Sequence, residues 1–135
     1  YSDVHNNLGI AYLDLGSHDK AIKHLELAIS FRPEFPEAHN NLGSAYQEKG
    51  SLGAAINSYK RAITLKNNFA QAHTNLGIIQ EKTGKFDDAL LSYSNAINHD
   101  PNNVSAHFNL KTSVGSNSLM DLVLASNSSI PCVVR

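Results

Sequence analysis

Apolar and small residues return along this chain at a fixed interval of 34 positions. Leu8, Leu42, Leu76 and Leu110 form one column, and Gly9, Gly43 and Gly77 the next. Ala21, Ala55 and Ala89 form another, as do Ala28, Ala62 and Ala96. Polar residues keep the same register: His5, His39, His73 and His107; Asn7, Asn41, Asn75 and Asn109. Columns that agree at one period mark an internal repeat. The spacing inside a unit is helical. Ala38, Leu42, Ala45 and Tyr46 share one face of a helix predicted over about 37–49, and Ala55, Ile56, Tyr59, Ala62 and Ile63 share one face of a second. Gly50 ends the first helix, Ser51 is expected to cap the second as Ser17 does in the preceding unit, and Lys85 cannot cap in the third. Pro33 and Pro101 follow second helices, and Pro36 suits the first position of the next helix. The chain therefore divides into complete units at about 2–35, 36–69 and 70–103, with the first helix of a fourth at 104–111. The pattern fails from Thr112. Residues 112–135 are rich in Ser and Asn, with a short helix predicted over 118–125, where Leu119, Leu122 and Val123 are expected to cover the apolar edge of the third unit.

The remaining composition chiefly excludes. With 11 Lys+Arg against 12 Asp+Glu among 135 residues, the formal charge is −1, which argues against a nucleic-acid footprint and against a polybasic membrane segment. No apolar run approaches the ~18 residues of a membrane span. One cysteine, Cys132, cannot form an intramolecular disulfide or a multi-cysteine metal site. No Gly-rich phosphate loop, paired-carboxylate site or nucleophile elbow is present, so neither catalysis nor a cofactor is expected. The start at Tyr1, without Met or a signal-peptide pattern, suggests a piece of a longer protein, and an intracellular compartment is the expectation.

The strings HNNLGIAY, HNNLGSAY and HTNLGIIQ, followed by KAIKHLELAISFRP, AAINSYKRAITLKN and DALLSYSNAINHDP, resemble the tetratricopeptide repeat family over about residues 2–110. Gln80 departs from that pattern where an aromatic is usual, and the histidine column stands where the family often has a large ring. The resemblance implies an all-α, right-handed superhelical solenoid of antiparallel helix pairs, with the first helices lining a concave groove. It also implies a partner that is a protein or an extended peptide.

The histidine column suggests metal, but its geometry does not. Successive repeats lie about a helix diameter, ~10 Å, apart, whereas two ligands of one zinc each need ~2.1 Å. Half-buried packing rings are the expectation, with His18, His24 and His99 solvated or at boundaries. Asparagine is a mediocre helix former, so the column Asn7, Asn41, Asn75 and Asn109 needs a reason. A side-chain amide donates and accepts at once, which suits peptide backbone. Rungs ~10 Å apart match about three extended residues. The column resembles the asparagine ladder of O-linked N-acetylglucosamine transferase superhelices. The other reading is that these amides bond to the neighbouring repeat. By resemblance to where the tetratricopeptide repeat family binds ligands, Asn6, Asn40, Thr74, Ser44, Gln47 and Ile78 are groove candidates, together with Asp3, Glu37 and Glu81. None is Lys or Arg, so a clamp for acidic C-termini is not expected. The function expected is an interaction scaffold. A substrate-recruiting arm of a larger glycosyltransferase-like enzyme and an end-to-end self-assembling solenoid are the alternatives.

Overall fold

The computed structural model describes residues 1–116, which form seven helices and no strand: α1 Ser2–Asp14, α2 His18–Phe31, α3 Pro36–Lys49, α4 Leu52–Leu65, α5 Ala70–Lys82, α6 Phe86–His99 and α7 Val104–Ser116. The expected 118–125 helix, with Leu119, Leu122 and Val123, lies outside these residues. The last helix runs on through Lys111 to Ser116, past the point where the sequence period fails. Among the described residues no helix is long and apolar enough to cross a membrane.

Helices pack in antiparallel pairs, α1 on α2, α3 on α4 and α5 on α6, and each pair stacks on the next through α2–α3, α4–α5 and α6–α7. The small columns make this possible. Ala21, Ala55 and Ala89, and likewise Ala28, Ala62 and Ala96, are completely buried. A Cβ on Gly43 would lie 2.6 Å from Cδ1 and Cε1 of Tyr59, and one on Gly77 would lie 2.5 Å from Cε1 of Tyr93. These glycines are therefore required by the close approach of a ring to backbone rather than by backbone conformation.

The turn inside each repeat needs glycine for the other reason. Gly16, Gly50 and Gly84 have φ of 76°, 92° and 80°, a left-handed conformation that other residues adopt at a cost. Around each the backbone closes in the same way. The Gly16 N–H donates to Leu13 O and the Ser17 N–H to Tyr12 O, at 3.0 and 2.9 Å. Ser51 and Lys85 repeat the second bond to Tyr46 O and Gln80 O, each at 2.8 Å. This paired arrangement satisfies carbonyls left over at the helix end. It corrects the expected role of serine. Ser17 and Ser51 occupy the N-cap positions of α2 and α4, but their hydroxyls make no capping bond. The backbone N–H does the holding, which is why Lys85 serves the third turn equally well.

Between repeats, Arg32, Lys66 and Asp100 end the second helices with φ of −140°, −140° and −139°. Because Asn67 replaces proline after the second of these helices, proline is not what sets the turn. Phe35 is buried against Ala28 and Ala38 beneath the Arg32 guanidinium, which sits 3.6 Å from its ring centre. Lys66 covers Phe69 similarly, at 4.7 Å. The third turn has Asn103 instead, whose Oδ1 accepts the Ala106 N–H at 2.9 Å and starts α7.

Successive first helices touch one another, α1 with α3, α3 with α5 and α5 with α7, while the second helices α2, α4 and α6 have no comparable contact. The first helices therefore lie on the inner side of the curve and the second helices are splayed on the outer side.

Candidate functional site: an asparagine-lined inner surface

Two of the predicted asparagines, Asn41 and Asn75, bridge successive first helices on the inner side, each to an asparagine of the repeat before it. Asn41 Nδ2 donates to Asn6 Oδ1 at 3.0 Å, and Asn75 Nδ2 donates to Asn40 Oδ1 at 3.1 Å. Each bond crosses from one repeat to the one before it. The acceptors Asn6 and Asn40 are buried, 8% and 3% exposed, whereas Asn41 and Asn75 are half-buried and Asn7 is exposed. One amide of each pair thus lies beneath the surface and the other remains partly open to solvent. A buried amide oxygen without a donor would cost a substantial fraction of its hydration, so the pairing explains why two adjacent asparagines recur.

The pairing does not extend further. Thr74 stands where Asn6 and Asn40 stand and is likewise buried, but its hydroxyl donates to Ala70 O and accepts from Asn103 Nδ2 at 3.2 Å. Asn109 is half-buried and not tied to it. Ser44 and Gln47 are brought together around a group that sequence reasoning missed, the hydroxyl of Tyr59. This hydroxyl donates to Gln47 Oε1 at 2.8 Å and lies 3.3 Å from Ser44 Oγ. In the third repeat the Tyr93 hydroxyl donates to Glu81 Oε1 at 2.9 Å, while Ile78, which stands in the column of Ser44, is half-buried. Burial pushes the Tyr59 phenol up to about 12, and burial together with the Glu81 carboxylate also raises that of Tyr93. Both therefore remain neutral donors. A sequence signal existed: positions 13 and 25 are Leu and Leu, 47 and 59 are Gln and Tyr, and 81 and 93 are Glu and Tyr. The partner of a tyrosine is polar and the partner of a leucine is not.

Two acidic groove candidates are balanced by cations, whereas Glu81 forms no ion pair among the described residues. Asp3 is paired with Arg32 at 3.2 Å and Glu37 with Lys66 at 3.3 Å, both exposed pairs that contribute little stability but balance charge.

The histidine column has a structural task beyond filling space. Nε2 of His39, His73 and His107 donates to the carbonyl six residues upstream, Pro33, Asn67 and Pro101, at 3.0, 3.0 and 2.8 Å. Each ring thereby latches the turn joining two repeats. His5 instead meets His24, Nδ1 to Nδ1, at 3.1 Å. His24, half-buried, also lies against Tyr12, the exposed His99 lies against His73, and His18 Nε2 is 3.2 Å from Glu48 Oε2. Among the described residues no group of three His, Cys, Asp or Glu side chains could hold a metal ion.

An array of paired helices with this inner surface defines a class of repeat protein, and comparison with known families identifies it. Tetratricopeptide repeat models match residues 9–50, 45–84 and 70–103. The chain belongs to the tetratricopeptide repeat family. Solved structures share the fold. MamA is 28% identical with a TM-score of 0.83, over 90% of this chain and 71% of that one. The tetratricopeptide domain of Sgt2 from Aspergillus fumigatus is 21% identical with a TM-score of 0.82, over 93% and 81%. A structure described as the first TPR of Spaghetti (RPAP3) bound to HSP90 peptide SRMEEVD is 23% identical with a TM-score of 0.82, over 85% and 91%. No curated protein matches the chain.

Proposed function

We propose that this array is a protein-interaction scaffold without chemistry of its own, and that it holds an extended peptide along the inner surface. The observation that carries this reading is the half-open amide row. Asn41 and Asn75 each use one N–H to reach the preceding repeat, and each retains an oxygen and a second N–H for which the described residues offer no partner. A peptide backbone presents the complementary acceptor and donor. The inter-repeat ties fix both amides in orientation before a ligand arrives, which lowers the entropic cost of binding. The RPAP3 repeat complex with the peptide SRMEEVD supports a peptide as the class of partner. None of the groove candidates is Lys or Arg, and the nearby Arg32 and Lys66 are already engaged by Asp3 and Glu37, so an acidic segment is not favoured here. A polar, uncharged or mildly basic segment fits this rim.

The test is a peptide array screened on the protein, followed by titration of the selected peptide against Asn41→Ala, Asn75→Ala and the double variant. Backbone contacts predict losses of about 1–3 kcal/mol for the double variant. Normal peptide binding by a double variant that melts much earlier would assign these amides to holding repeats together and refute the ladder.

A further inference from the structure

On the outer side, between the splayed helices α4 and α6 and above α5, lies a cavity of about 360 Å³. One of its lining residues, Gln80, departs from the repeat pattern. Position 80 falls in the column of Tyr12 and Tyr46. In the second repeat the Tyr46 ring packs between two core clusters and its hydroxyl donates to Glu26 Oε2 at 3.2 Å, filling the gap between repeats. Gln80 has no ring. Its side chain is turned to Ser92, whose hydroxyl donates to Gln80 Oε1 at 2.6 Å, and the space a phenol would occupy is left open beside Ile63, Leu76 and His73.

Three features give this space the chemistry of a binding site rather than of a packing fault. Gln80 is 6% exposed and lines the cavity with its oxygen engaged by Ser92, which makes its amide a polar element of an otherwise largely apolar wall. Leu91, 62% exposed, lines the mouth where the preceding repeat has Asn57, adding apolar surface where solvent would favour the reverse. Lys60 also lines the cavity, occupies the position of Glu26, and forms no ion pair among the described residues.

We propose that the cavity receives the ring of a tyrosine side chain from a partner protein. The ring lies where Tyr46 lies one repeat earlier, against Ile63, Leu76 and Leu91, and its hydroxyl accepts from the Lys60 ammonium as the Tyr46 hydroxyl donates to Glu26. This site is on the face opposite the asparagine row, so the scaffold has a second point of attachment spatially separate from the first.

The experiment is nuclear magnetic resonance titration of the protein with N-acetyltyrosinamide and, in parallel, N-acetylphenylalaninamide. The expected result is weak, saturable shifts confined to residues around Gln80, Leu91 and Ser92, with the tyrosine compound several-fold tighter. Gln80→Tyr, which restores the ring already accommodated at Tyr46, abolishes the shifts while keeping the fold. Lys60→Met leaves binding in place but equalises the two compounds. Absence of saturable shifts in the parent protein, shifts that persist in Gln80→Tyr, or equal affinities in the parent protein would each overturn the assignment.

Discussion

Replacing Gly43 with alanine isolates the contact on which a helix pair depends. The new methyl would stand 2.6 Å from two carbons of Tyr59, whereas carbon atoms in contact prefer about 3.5–4.0 Å. The ring has nowhere to go: Tyr59 is 1% exposed and its hydroxyl is held by Gln47. Overpacking of this kind costs about 1–3 kcal/mol, and a displaced hydroxyl about 1 kcal/mol more. Alanine returns up to about 1 kcal/mol through its better helix propensity. A net loss of about 2 kcal/mol is expected, a fall in melting temperature on the order of 10 °C, read by circular dichroism and by urea midpoints. Gly53 supplies the control, since a Cβ there meets nothing within 4 Å; Gly53→Ala should be neutral or stabilising by up to about 1 kcal/mol. The decisive measurement is the double-mutant cycle with Tyr59→Val, which removes the obstructing carbons. In that background Gly43→Ala should no longer destabilise. A Gly43→Ala protein as stable as the parent, or a penalty undiminished in the Tyr59→Val background, would refute the steric explanation.

Gly50→Ala should cost about 1 kcal/mol because of its left-handed φ, while Ser51→Ala should change urea midpoints little because the serine hydroxyl caps nothing. Acidification should weaken the repeats partly through His39. Burial, aided by the Arg61 charge and opposed by the Pro33 carbonyl, lowers its tendency to hold a proton below that in the unfolded chain. Its contribution is therefore complete above the unfolded value, ~6.5, and is lost as pH falls through the lower folded value. His39→Gln should show a shallower decline of urea midpoint between about pH 7 and pH 5, and parallel declines in the two proteins would count against this.

The repeat is legible in the sequence because the alanine columns and the Gly9, Gly43 and Gly77 column register burial directly: wherever two helices must nearly touch, only small residues survive the geometry. Helix bounds follow, with Pro36–Lys49 found where the spacing predicts about 37–49. What sequence does not supply is the partner of a side chain across a turn. Ser51 resembles a cap because serine at that position usually is one, but the backbone N–H already meets the helix end. The asparagines stand out as a column, yet whether they face a ligand or each other depends on the offset between stacked helices, and Asn41 reaches Asn6 because of that offset. Gln80 is visible as a departure from pattern, but a missing ring becomes a cavity only once the helices on either side are known to stand apart.

That separation has a mechanical consequence. The second and third repeats are fastened on their inner side by the Asn75–Asn40 tie and by contact between α3 and α5, and on their outer side α4 and α6 stand apart across the cavity, which gives that junction the form of a hinge whose pin runs along the inner side. Drawing α4 and α6 together would straighten the array, and forcing them apart would tighten its curl. The width of the outer gap and the curvature of the asparagine-lined inner surface are one coordinate, and whatever wedges or empties the first sets the second.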